Sequence, residues 1–367
     1  MRAHLRPLDE LTEYDLTAWR ELAAAAVEPN PFFEADFVLA AWKHLGRNGV
    51  GLLVAEDAGG WAACLPVHRP RRWRRLPIAA LAAWRHPYCF LGTPLVAADR
   101  TDAAVAALVE GGLQERRVNA LTLDWLGDGG PVAASLERLL GERGIPTVRY
   151  ERFERASLQR RPEPTYLDDT LRGHRRRELQ RMRRALARDV GDPVTVTDRP
   201  EDPQAFEDFL RLEASGWKGE QGTALASRED HARFFRAVCT AFAGKDRLQL
   251  LELTAGGRPV ALKCNLLATG TVFCFKIAYD AQYARYSPGL QLERETVDLF
   301  HGRTNLDSMD SCANPNNQMI NRLWPDRRPI TTIVVPSSGP RGRATLQATA
   351  ASSSLRNLVR RVRWKTS

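Results

Sequence analysis

Two rhythms alternate along the chain: apolar residues three or four apart, as on one face of a helix, and apolar residues at every second place or in short unbroken runs, as in strands. The first rhythm predicts a helix from near Asp15 to Val27, stopped by Pro29-Asn30-Pro31. It predicts another over Glu34–Leu45, with Phe37, Ala41 and Leu45 on one face. Strands follow at Val50–Glu56 and Trp61–His68, joined by Asp57-Ala58-Gly59-Gly60, which has the composition of a hairpin turn. Tyr88–Val96 reads as an apolar strand. Thr101 or Asp102 caps a helix running to about Glu115. Ala120–Leu126 alternates as a strand, Val132–Arg143 is helical, and Gly144-Ile145-Pro146 leads into a short strand.

Residues 155–170 are polar and contain Pro162 and Pro164, which marks a boundary there. Beyond it, Leu171–Arg188 is an arginine-rich helix with an apolar stripe at Leu179, Met182 and Leu186. Asp202 caps a helix that has Pro203 first and stops at Gly216. Glu229–Ala243 is helical. Leu248–Thr254, Val260–Ala268 and Thr271–Asp280 are strands, joined by tight turns at Ala255-Gly256-Gly257 and Thr269-Gly270. A helix from Pro288 to His301, a strand at Leu306–Cys312, a short helix at Pro315–Leu323 and a strand at Ile330–Val335 complete the half. Residues 336–354 are rich in Ser, Gly and Ala and read as flexible, followed by a basic amphipathic tail at Leu355–Trp364.

The order of elements is the same in both halves, although no residue-level repeat is visible. It predicts an α/β protein with mixed sheets, built from two related domains over 1–155 and 165–336, with 337–367 as flexible segment and tail. The length of 367 residues suits two domains. The first ten residues hold no apolar signal-peptide core, and Ala23–Val27 is far too short to span a membrane. A soluble cytoplasmic protein is the expectation. Six cysteines occur with no Cys-x-x-Cys pair and no Cys/His cluster at ligand spacing, which points to buried free thiols and no metal. The net charge of +9 allows an anionic partner, or reflects composition alone, since 47 residues are Arg and six are Lys.

Lysine is therefore scarce, and two of the six lie in adjacent strands. If Thr269-Gly270 is a two-residue turn, Lys263 faces Lys276 across the hairpin. Like charges so placed repel unless something anionic lies nearby. Either an anion sits over the pair or the face is simply exposed and polar. Glu213 falls within the apolar stripe of Phe206, Phe209 and Leu210 on the helix from Pro203. A buried carboxylate there is a general-base candidate or one partner of a structural ion pair. Gly216-Trp217-Lys218-Gly219 reads as a mobile loop that could close over substrate. Ser287 caps the helix that begins Pro288-Gly289, whose first free N–H groups suit an anion. Asp310, Cys312 and Asn314 could line a cleft; Cys312 has no evident His partner for a nucleophilic role.

Three stretches, Phe209–Leu225 (FLRLEASGWKGEQGTAL), Phe275–Leu290 (FKIAYDAQYARYSPGL) and Asp310–Arg328 with its Trp324, resemble the GNAT acyltransferases of the cellulose-biosynthesis-associated (CelD-type) branch, which are related to the FemAB-type transferases. His86–Val96 (HPYCFLGTPLV) is similar to that branch's first half. The resemblance implies tandem GNAT-like domains, with the chemistry in the second. It implies transfer of an acyl group, acetyl above all, from a CoA or carrier-protein thioester to an amine or hydroxyl, such as one on a polysaccharide or cell-envelope precursor. Acetyl-CoA or another acyl-CoA would then be a donor substrate rather than a tightly bound cofactor. For such a transfer Glu213, Lys276 and Asp310 are the catalytic candidates: Glu213 or Asp310 would deprotonate the acceptor, and Lys276 with Lys263 would hold an anionic group or the developing oxyanion. Trp217, Lys218, Lys263, Asp280 and Tyr283 would bind substrate, and Tyr286, Ser287, Pro288, Gly289 and Leu290 the donor. The loop Gln282–Gly289 carries Pro288 where ordinary GNATs have a second glycine spacing, a departure shared with FemAB-type enzymes, whose donor is aminoacyl-tRNA. An aminoacyl-tRNA-dependent transferase, with the arginines of 172–188 on the tRNA backbone, is the alternative enzyme. A non-catalytic adaptor of an exopolysaccharide system is the alternative without chemistry.

Overall fold

A computed structural model describes residues 1–46, 49–161 and 173–365. The predicted boundary stretch, where Pro162 and Pro164 lie, falls largely outside them. The chain forms two compact units: residues 1–42, 47–154 and 328–367 make one, and 43–46 with 155–327 the other.

In the first unit β1 (Arg2–Pro7), β2 (Val50–Asp57), β3 (Gly60–His68), β4 (Ala80–Ala83), β6 (Ala120–Gly127), the 328–336 portion of β13 (Asp326–Pro336) and the 148–154 portion of β7 (Val148–Gln159) lie side by side in that order. The two-residue β5 (Leu95–Val96) pairs with β3. The sheet is mixed: β4 and β6 are parallel, while β1–β2, β2–β3, β3–β4 and β6–β13 are antiparallel. Helices α1 (Glu13–Ala24), α2 (Ala35–Leu45), α3 (Thr101–Gln114) and α4 (Pro131–Glu142) accompany these strands. A capping box starts α1: Thr12 Oγ1 accepts from the Asp15 N–H and the Asp15 carboxylate accepts from the Thr12 N–H. Trp73, Ile78, Ala80, Ala82, Ala120, Tyr150 and Val334 form one of its apolar clusters.

In the second unit the order is β7 (its 155–159 portion), β12 (Ser308–Asp310), β11 (Thr271–Tyr279), β10 (Arg258–Ala268), β9 (Leu248–Ala255) and β8 (Thr195–Asp198). Only β11–β12 is parallel among these pairs. The helices are α5 (Gly173–Val190), α6 (Pro203–Ser215), α7 (Glu229–Ala243), α8 (Pro288–Gly302) and the short α9 (Gln318–Leu323). Leu186 of α5 packs with Leu251, Leu253, Val260 and Leu292, while Leu179 joins a second cluster around Phe300, Met309 and Trp324.

Several expectations are corrected. The stretch read as flexible, 336–354, is instead mostly helix, running on through the predicted tail as α10 (Pro340–Lys365); Thr349 and Ser353 are buried, and the Ser353 hydroxyl donates to the Tyr150 carbonyl. That helix and residues 328–336 belong to the first unit, so the second ends at Arg327 rather than 336. Of Tyr88–Val96, only Leu95–Val96 is strand. The first ten residues, for which no element was predicted, hold β1.

The hairpin register is also corrected. From Ala268↔Thr271 to Asn265↔Cys274 the pairing is the predicted one, but Cys264 then pairs with Lys276 and Lys263 with Ile277. Phe275 is the extra residue of a β-bulge. The bulge removes the direct opposition of the two lysines, which a regular ladder would have imposed.

Candidate active site

The second unit carries two neighbouring cavities, of about 240 and 190 Å³, both lined by Lys218 and Ile277. The larger is bounded by Glu213 and Gly216 of the α6 end and by Tyr279, Ala281 and Ala284 beyond β11. The smaller is bounded by Lys263, Cys274 and Lys276 of the hairpin, Glu293 of α8 and Ser311–Ala313.

Glu213 joins them electrostatically. Its place on the apolar stripe of α6 leaves the side chain 1% exposed. Oε1 accepts from Lys218 Nζ at 2.8 Å and lies 3.8 Å from Lys276 Nζ. Oε2 accepts from the Leu225 N–H at 2.8 Å. One carboxylate thus faces two ammonium groups. Burial pulls the Lys276 pKa down to about 8; Glu213 opposes that fall and Lys218 adds to it. Lys218 itself is held by a single helical turn at Trp217–Glu220, and its ammonium also lies 3.5 Å from the Ile277 carbonyl.

Lys263 serves a different carboxylate. Its Nζ donates to Glu293 Oε2 at 2.5 Å and lies 5.7 Å from the centre of the Trp324 ring, with both charged side chains buried. Burial works against its charge, yet Cys274 and Glu293 outweigh that and raise its pKa above the ordinary value. The Cys274 thiol is pushed up to about 12, mainly by burial. Lys276 and Lys263 therefore share a cavity wall without facing each other, and each reaches a carboxylate from a different helix.

The α8 start approaches the larger cavity. A Cβ on Gly289 would lie 3.5 Å from Tyr279 Cδ1 and 3.8 Å from Ile277 Cδ1, and both those residues line the cavity. Ser287 occupies the N-cap position in the left-handed region, at φ 51°, and makes no side-chain cap, contrary to expectation. A non-glycine residue held there marks local strain.

The remaining predicted residues are placed elsewhere. Asp310 is 1% exposed; Oδ2 accepts from Arg155 Nη2 at 2.7 Å and Oδ1 from the Cys312 N–H, and it lines neither cavity. Asp280 caps the 3₁₀ turn Ala281–Tyr286 by accepting from the Gln282 N–H. Tyr283 packs against the cluster around Leu186 and Leu292. Tyr286 is buried in that cluster and its hydroxyl donates to Asp189 of α5. Pro288 is buried, and Leu290 packs against the cluster around Val297 and Phe300. The Trp217 side chain lies outside the described residues. Glu293 and Cys274 were missed. Glu293 stands four residues, about one turn, after Gly289 on one face of α8, and that spacing was available as a signal.

Residues 173–315 match the family model described as an acetyltransferase (GNAT) domain. No curated protein matches the sequence. Among solved structures, the chain is similar to FemX, with a TM-score of 0.59 at 8% identity over 92% of this chain and 97% of that one. It is similar to a conserved protein of unknown function from Bacteroides thetaiotaomicron VPI-5482, with a TM-score of 0.57 at 14% identity over 89% and 98%. A third is the C-terminal domain of a putative lysylphosphatidylglycerol synthetase from Agrobacterium fabrum, with a TM-score of 0.54 at 14% identity over 92% and 96%. At these identities the likeness is one of fold. The matched domain lies within the second unit and is of the GNAT transferase type. Among the described residues no helix is long and apolar enough to cross a membrane, and no cluster of His, Cys, Asp or Glu could hold a metal.

Proposed function

We propose that the protein transfers an acyl group, acetyl first among candidates, from a CoA or carrier-protein thioester to an amine or hydroxyl acceptor in the cavities of the second unit. The observation that carries the reading is Lys276, a cavity-wall lysine whose pKa is drawn to about 8 and which shares Glu213 with Lys218. The start of α8 beside the larger cavity is the place for the donor's phosphates: Pro288 has no N–H and the Leu290 N–H donates to the Ser287 carbonyl, which leaves the Gly289 N–H to meet them. The acceptor's nitrogen or oxygen bonds to the thioester carbonyl carbon, and the carbonyl oxygen becomes an oxyanion. The Lys276 ammonium stabilises that charge. As the intermediate collapses the carbon–sulfur bond breaks. Lys276 gives a proton to the departing sulfur and takes back the one released by the acceptor, so it is charged before and after. Both Glu213 oxygens already accept hydrogen bonds, so we assign it as the positioning residue for the two ammonium groups, and Asp310 as the partner of Arg155.

An aminoacyl-tRNA donor is the second reading. Pro288 removes one N–H from the α8 start, and the departure of this loop from ordinary GNATs is the one shared with FemAB-type enzymes. The likeness of fold to FemX favours it too. Thermal melting separates the two readings. Millimolar acetyl-CoA should raise the melting temperature by mass action, and mass spectrometry of the native protein should find an acyl-CoA species. No shift with acetyl-CoA alongside a shift with aminoacyl-tRNA would replace the first reading by the second.

A further inference from the structure

The first unit holds a charged cluster that the proposed chemistry does not use. Strand β6 is bulged: the register with β13 shifts between Thr331 and Ile333, opposite Asp124 and Trp125. Trp125 is left-handed at φ 60°, and so is Arg74 at φ 50°. Gly92 clamps the bulge from the other side. Its N–H donates to the Trp125 carbonyl at 2.8 Å, and a Cβ there would come within 1.9 Å of the Asp124 carbonyl oxygen. Backbone strain of this kind persists only where the surroundings over-determine it, and it gathers at binding sites.

The side chains at the bulge are unequally served. Asp124 accepts from Trp73 Nε1, Thr122 Oγ1 and Arg74. Glu151 accepts from Arg74, Arg356 and Trp125 Nε1. Two carboxylates are thus filled by two guanidinium groups, two indoles and a hydroxyl. Arg85 is a third guanidinium, half-buried, and among the described residues it makes no hydrogen bond or ion pair with either carboxylate. It lies flat on Trp125, 3.4 Å from the ring centre. Its Nε is buried and without a hydrogen-bond partner among the described residues. Stacking satisfies the face of a guanidinium but none of its in-plane N–H donors. Burial lowers the Arg85 pKa, although Cys89, Asp124 and Glu151 pull the other way. Leaving a cation half-desolvated beside an arginine pair is costly unless an anion completes the set.

We infer that Arg85, laid against Trp125 and flanked by Arg74, is the anchor of a binding site for an oxyanion group, phosphoryl or carboxylate, in the first unit. A planar fork with free in-plane donors is the geometry that takes two oxygens of such a group at once. The site belongs to the first unit and does not depend on the reaction assigned to the second.

The test uses the full-length protein and two simple probes, inorganic phosphate and acetate, titrated while the arginine Nε–H resonances are followed by NMR. The Arg85 Nε–H resonance, assigned by its loss in Arg85→Met, should shift saturably with one probe or both. The probe that binds more tightly identifies the group. Arg85→Met should weaken that binding about tenfold or more, the scale of a charge-assisted hydrogen bond. Arg85→Lys should restore it only in part. Arg85→Met should also melt at or above the wild-type temperature, because it removes an unpaired, desolvated charge. No saturable shift with either probe, or equal affinity in Arg85→Met, would overturn the inference. So would a clear loss of thermal stability in Arg85→Met, which would show that the side chain is structural.

Discussion

Lys276 lies 3.8 Å from Glu213, on a carboxylate that Lys218 already occupies at 2.8 Å. The pairing is unequal. Lys218 holds the short hydrogen bond and a backbone carbonyl, whereas the more deeply buried Lys276 keeps its charge through a longer-range attraction. With its pKa drawn down to about 8 by burial, Lys276 is suited to passing protons.

A pH profile tests this directly. With Lys276 needed in its charged form, kcat/KM should fall as pH rises through about 8. Stability should move the other way. The folded pKa is depressed below the unfolded value of 10.5, so above about 8 the native state loses a proton that the unfolded state keeps. Relative to Lys276→Met, wild type should therefore gain stability between pH 8 and 10.5, by up to about 3 kcal/mol. A rate that rises through pH 8 would show that neutral lysine is the active form.

Glu213→Gln separates a positioning carboxylate from a general base. The substitution keeps shape and removes the charge shared by the two ammonium groups. Lys276 then loses the interaction that opposes its burial, so the alkaline limb of the profile should shift to lower pH, with activity partly retained below it. Breaking a buried pair from one side should cost about 3 kcal/mol in urea unfolding. Turnover lost uniformly at every pH, by roughly 100-fold, would instead make Glu213 the base.

The two ends of this site were unequally legible. Glu213 stood out because a carboxylate interrupts an apolar helical stripe, and the structure buries it there. The lysines stood out through scarcity, but their mutual placement did not. A bulge at Phe275 adds one residue to one strand, and nothing in Cys274-Phe275-Lys276 distinguishes it from a regular run. The α8 start was recognisable from Pro288-Gly289, yet the left-handed Ser287 was not, because its conformation is set by packing around Tyr286 and Gln291, whose side chain donates to the Tyr286 carbonyl. The last helix was hidden by composition: its small Ser, Thr and Ala residues read as a linker until the first unit supplies the surface that buries Thr345, Thr349 and Ser353. That is tertiary context overriding a weak local preference.

Asp310 is predicted to matter for folding and not for the chemical step. Asp310→Asn leaves Arg155 buried beside a neutral amide, which should cost about 3–5 kcal/mol. The folded fraction should keep kcat/KM within a few-fold of wild type and an unchanged pH profile. Loss of turnover in protein shown by circular dichroism to be folded would return Asp310 to the list of proton acceptors.

Gly219 ties the loop to the site. A Cβ added there would come within 1.8 Å of the Ala214 carbonyl oxygen, a backbone atom next to Glu213 that cannot swing away. Gly219→Ala must therefore displace the turn that carries Lys218, whose carbonyl receives the N–H groups of Thr223 and Ala224. We expect a loss of roughly 1–3 kcal/mol, the range for forced overpacking. Lys218 should leave Glu213 as the turn shifts, so kcat/KM should fall at the same time, by about tenfold for one lost charge-assisted hydrogen bond. Gly222 is the control. It has φ +66° but nothing within 4 Å of its added Cβ. Gly222→Ala should cost about 1–2 kcal/mol for a left-handed residue and leave kcat/KM unchanged. If both variants lose stability while keeping full activity, Lys218 is dispensable and the shared carboxylate serves Lys276 alone.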